Sequence, residues 1–127
     1  VKAIRLLSVL LLSYVATIAI LVGYALIKDP SGNLLELPLK YLDHTPFNNY
    51  LIPGIILFIV HGVTNVIAAI FTAYKWKHYP TFVVWQSIIL ILWILLQMLV
   101  VQHVHPLYLL FGSIGILLFM FGNRLNV

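Results

Sequence analysis

A chain of 127 residues that is 63% hydrophobic and 8% charged has too few charges to cover a water-facing surface. That balance excludes a soluble globular domain and predicts an integral membrane protein. Cysteine is absent, which removes disulfides, thiol redox chemistry and thiolate metal ligands, and the net charge of +4 is explained below without nucleic acid as a partner.

Lys2 and Arg5 make a short basic start, and residues 6–27 form the first apolar run. A basic start before an apolar stretch is also the pattern of a signal peptide. This run exceeds the ~7–15 residues of a signal core and has no small-x-small site before Lys28, so it predicts a transmembrane helix. Residues 28–50 are the sizeable link. Asp29-Pro-Ser-Gly-Asn is turn chemistry, because Pro presets φ while Gly and Asn tolerate positive φ. A short interfacial helix is expected within 34–42, where Pro38 can open a helical turn. Tyr41, Phe47 and Tyr50 are expected at headgroup level, as in aromatic belts.

The second helix is predicted over 51–74, with Pro53 in its first turn, where a missing amide donor costs little. Lys75-Trp-Lys-His-Tyr-Pro is a tight basic link, and the third helix is predicted over 81–102. His103-Val-His105 is a second tight link, after which Pro106 opens a fourth helix over 107–122. That last run is short for a span and calls for local thinning or its flanking residues. Period-two alternation is absent from all four runs. Links this short force neighbouring helices to be antiparallel, so one all-α membrane domain is expected, an up-down-up-down four-helix bundle. Lys2, Arg5, Lys75, Lys77 and Arg124 share one side, and Lys28 and Lys40 the other, with all three acids. The positive-inside bias therefore predicts cytoplasmic termini in a bacterial inner membrane.

Small residues recur at helical spacing: Ala16, Ala19 and Gly23; Gly62, Ala69 and Thr72; Gly112, Gly115 and Gly122. In lipid such stripes mark close helix packing, within the bundle or at a homodimer face. His61 falls near mid-span, with Asn65 one turn away. Gln86, Trp93 and Gln97 share a face of the third helix. Polar groups buried without partners are costly, so these two faces are expected to meet each other or a polar cavity. Bis-histidine haem is not expected, because His61 has no second histidine at its depth. Asp43, His44, His103 and His105 lie on the outer links and have the donor chemistry of a zinc site, but their spacing is loose and solvated or interfacial histidines are the expected reading. Ser13, Ser87 and Ser113 have no base beside them, and the spans carry no Asp or Glu, which argues against a hydrolase and an ion-coupled transporter.

Leu37-Pro-Leu, Thr45-Pro-Phe, Tyr50-Leu-Ile-Pro-Gly, Trp93, Gln97 and Pro106-Leu-Tyr together resemble a group of small bacterial four-span membrane proteins of unknown function. In that group the position of His61 is more often asparagine. The layout is also similar to DoxX-like proteins at the level of fold, which carries no activity with it. The expectation is a non-enzymatic accessory or structural subunit, acting through intramembrane contacts with a membrane-protein partner or a second copy. The alternative is a binder of a lipid, quinone or other hydrophobic molecule in a pocket of His61, Asn65, Gln86, Trp93 and Gln97 beneath the 46–50 loop. Neither reading requires a resident cofactor, and membrane lipids are partners in both.

Overall fold

The computed structural model describes residues 2–35, 39–42, 46–101 and 106–125. Four helices carry the chain: α1 (Lys2–Lys28), α2 (Leu51–Ala73), α3 (Tyr79–Val101) and α4 (Pro106–Leu125). Each is long and apolar enough to cross a membrane, and the chain is a small multi-pass membrane protein. α1 begins before Leu6 because none of residues 2–5 breaks a helix. α4 continues past Gly122 to Leu125, with Arg124 in its last turn, where a cation complements the helix dipole. Its 20 residues span roughly 30 Å at ~1.5 Å per residue, so the expected shortfall at this helix does not arise.

The four helices pack as an antiparallel ring. α1 packs along the length of α2, and α3 along α4; α1 with α4 and α2 with α3 close the bundle. Leu12, Val15, Ala68, Val83, Leu90, Ile114 and Leu118 fill its centre. The tightest seam is between α1 and α2. A Cβ at Gly23 would lie 2.9 Å from the Gly54 carbonyl oxygen and 2.9 Å from the Phe58 amide nitrogen. At Gly54 it would lie 2.7 Å from the Leu26 Cβ. Lipid tails are as apolar as the helices, so association depends on such close backbone approach. Gly62 takes Ile20 in the same way, and Gly115 and Gly122 take Ile91 and Val84 across the α3–α4 seam. Gly112 departs from the expected stripe: nothing lies within 4 Å of the Cβ it lacks.

The α2–α3 link is wound by its own hydrogen bonds. The Trp76 amide donates to the Phe71 carbonyl at 3.0 Å and the Lys75 amide to the Thr72 carbonyl at 3.3 Å, the paired bonds of a Schellman cap. The Trp76 ring stacks on Phe71 with centroids 4.6 Å apart, which supplies the hydrophobic contact of that motif. The left-handed position falls on Lys75 (φ 54°), where glycine is usual, and His78 is also left-handed (φ 66°). Arg5 reaches across from α1, its guanidinium donating to the carbonyls of Thr72 at 3.3 Å and Ala73 at 2.9 Å. It thereby answers orphan carbonyls at the negative end of α2.

At the opposite end, the Gly32 amide donates to the Asp29 carbonyl at 3.1 Å and Asp29 Oδ1 accepts from the Ser31 hydroxyl at 2.6 Å, the expected turn. The short helical segments described in this link are two 3₁₀ turns, Asn33–Leu35 and Leu39–Leu42, while Pro38 lies outside the described residues. Tyr50 is buried against Leu26 and Leu42, with Phe47 alongside, rather than spread in a belt. Its amide donates to the Pro30 carbonyl at 2.8 Å, which pins the loop to the end of α1. The side chain of Tyr41 lies outside the described set.

Two substitutions at glycines separate packing from composition. Gly23→Ala is expected to cost about 1–3 kcal/mol by forcing α1 and α2 apart. Gly112→Ala is expected to be neutral or to stabilise by up to about 1 kcal/mol through helix propensity. Reversible unfolding in mixed micelles measures both, and equal effects would contradict the α1–α2 contact. By the same assay Lys75→Gly should stabilise by about 1 kcal/mol, since glycine carries no Cβ into the left-handed region.

Candidate functional site

The middle of α2 is not α-helical. Leu57–Val63 is wound as a π-helix, and the Thr64 amide reaches back to the Ile59 carbonyl, five residues away. The wider turn takes amide donors from their usual carbonyls, and side chains replace them. The Thr64 hydroxyl donates to the Val60 carbonyl, and the Asn65 carboxamide nitrogen donates to the His61 carbonyl at 2.6 Å. Thr64 Oγ1 also lies 3.2 Å from Gln86 Oε1, which ties this turn to α3.

His61 projects from the π-helical segment into the bundle. It stands ten residues from the start of α2, roughly 15 Å along the axis, and so near mid-membrane. The residue is 1% exposed, and neither Nδ1 nor Nε2 has a hydrogen-bond partner among the described residues. Its ring packs on Trp93 of α3, with centroids 5.1 Å apart and planes tilted by 51°. An indole offers one N–H donor and no lone-pair acceptor, so whichever imidazole nitrogen carries the proton cannot pass it to Trp93 in a conventional hydrogen bond. Thr72 and Ser87, equally buried, both return their hydroxyls to their own helices, at 2.7 Å and 2.6 Å. Among the described residues the unanswered buried atoms are Arg5 Nε, at the end of the bundle, and both nitrogens of the His61 imidazole, near mid-span.

The five expected site residues are therefore only partly brought together. His61 and Trp93 touch. Asn65 is committed to the His61 backbone, and Gln86 lies against the Thr64 hydroxyl. Gln97, one turn beyond Trp93, is half-buried, and among the described residues no side-chain hydrogen bond to it is seen. Thr64 belongs to the site and was not among the expected residues; a hydroxyl three residues from an intramembrane histidine was the available signal. Beside the link between α1 and α2, a shallow recess of about 290 Å³ is lined by Pro46, Phe47, Asn48, Asn49, Leu51 and Ile52. It lies roughly 13 Å along α2 from His61 and does not include it. Asp43, His44, His103 and His105 lie outside the described residues. Among the described residues no three His, Asp or Glu side chains come together as a metal site.

Opposite substitutions test this arrangement. His61→Leu removes an unanswered buried polar group and is expected to stabilise the bundle by about 1–3 kcal/mol. Asn65→Leu leaves the His61 carbonyl without its donor and is expected to destabilise by a similar amount. Unfolding of the two variants in the same micelles gives the signs directly, and a loss of stability in His61→Leu would remove the case for an unanswered imidazole.

Comparison with protein-family models, with curated proteins and with solved structures finds no match for this chain, so function has to be read from the side chains themselves.

Proposed function

We propose that the chain is a membrane-embedded binder of a hydrophobic small molecule carrying a hydrogen-bonding group, a lipid or a quinone, with His61 as its polar contact. The observation that supports this reading is the imidazole at mid-membrane with both nitrogens unanswered. An intramembrane ionisable residue is costly to retain, and π-helical turns recur at functional sites. Trp93 supplies an aromatic wall against which a flat ring can stack. Access is favoured on the outer half of the bundle: Leu57–Val63 packs on α1, whereas α3 meets α2 chiefly along Thr64–Ala73. A ligand moving between Leu57–Val63 and α3 displaces few contacts and reaches the imidazole first.

This reading is preferred to an accessory subunit docking through small-residue faces, because Gly23, Gly54, Gly62, Gly115 and Gly122 are already occupied by neighbouring helices of the same chain. In the same proposal the basic end lies in the cytoplasm of a bacterial inner membrane. Five of the seven Lys and Arg residues support that orientation.

Native mass spectrometry of the chain released gently from its own membrane tests the proposal. The expected result is one defined small molecule retained by the wild type and lost from His61→Leu. A ligand-free chain, or one that holds a partner protein and releases no small molecule, would overturn it in favour of the accessory role.

A further inference from the structure

The cytoplasm-facing end in the proposed orientation carries a second surface, independent of His61. α1 starts there, α2 and α4 end there, and the link to α3 crosses it, so Lys2, Lys75, Lys77 and Arg124 share one end of the bundle. All four are exposed, and among the described residues none has a carboxylate partner. The three acids of the chain belong to the link between α1 and α2, at the opposite end. Arg5 is not available to this surface, because it caps α2.

The backbone of the link adds an observation that charge alone does not supply. Left-handed positions in such tight turns normally go to glycine, yet here they hold Lys75 and His78. Backbone strain of this kind persists where the surrounding structure holds it, and such positions cluster at ligand-binding sites. Trp76, between them, is 53% exposed, yet its ring is stacked on Phe71, so the link is a held platform rather than a loose loop. An indole at the membrane interface beside several cations has the chemistry of a site for a phosphate headgroup whose acyl chains run down the bundle.

We propose that the link Lys75-Trp76-Lys77-His78, with Lys2 and Arg124, holds the phosphate headgroup of an anionic phospholipid. The test is native mass spectrometry of the full chain in neutral detergent, titrated with phosphatidylglycerol or with phosphatidylcholine of the same acyl chains. Phosphatidylglycerol should be retained more tightly. Lys77→Gln, which leaves the strained backbone positions untouched, should weaken its retention about fivefold, as loss of one surface charge implies. Lys75→Gly with Lys77→Gln should weaken it roughly 25-fold without lowering stability, because the glycine relieves strain. Phosphatidylcholine should be unaffected by either change. Equal retention of the two lipids would overturn the proposal, as would variants that hold phosphatidylglycerol as the wild type does. Displacement of the lipid by millimolar inorganic phosphate would also overturn it, by marking a free-anion site in place of a headgroup site.

Discussion

Hydrocarbon offers no water to a polar group, so every donor and acceptor within the spans has to be answered by the chain. Most of the bundle's side-chain chemistry follows from that demand. Ser8, Thr17, Thr72 and Ser113 each return their hydroxyl to the carbonyl four residues back, whether they face the core or the lipid. Arg5 answers the carbonyls at the end of α2, and Thr64 and Asn65 answer those exposed by its π-helical turn. Against this background the bare imidazole of His61 is an exception with content. A chain that returns these hydroxyls to its own backbone retains an imidazole near mid-span with both nitrogens open among the described residues.

The π-helical turn also sets the packing of α2. Gly54 and Gly62 both face α1, yet eight residues on an unbroken α-helix place two side chains about 80° apart. A wider turn absorbs roughly one residue, making the separation equivalent to seven and bringing the two glycines to within about 20° of one line. The distortion that exposes the His61 and Val60 carbonyls thus keeps the small-residue seam continuous from Gly54 to Ala69. Packing against α1 and the shape of the candidate site are consequences of one local change in helical pitch.

Much of the architecture was legible from composition and punctuation. Four apolar runs, Asp29-Pro-Ser-Gly and the prolines at 53, 80 and 106 mark helices and turns closely. The π-helical turn was not legible, because Leu57-Phe-Ile-Val-His-Gly-Val has no local chemistry that distinguishes it from an α-helix. Gly54 was consequently left off the α1-facing stripe, and Thr64 was passed over as one more hydroxyl in a span. Gln86 and Gln97 share a face with Trp93, but a common face does not imply a common partner. Gln86 lies against Thr64, while among the described residues no side-chain hydrogen bond to Gln97 is seen. The Tyr50 side chain turned inward because the loop's own Leu42 and the end of α1 offered it an apolar seat.

The self-sufficiency of α2 has a bearing on how the protein is made. Thr64, Asn65 and Thr72 hydrogen-bond to carbonyls of their own helix, so these polar groups need no neighbour when the segment first leaves the translocation machinery. α1 is already in the bilayer by then and offers the close seat at Gly23 against which α2 fits. The first two helices can therefore assemble as a hairpin while the later part of the chain is still being synthesised. During that interval the imidazole of His61 has not yet met Trp93.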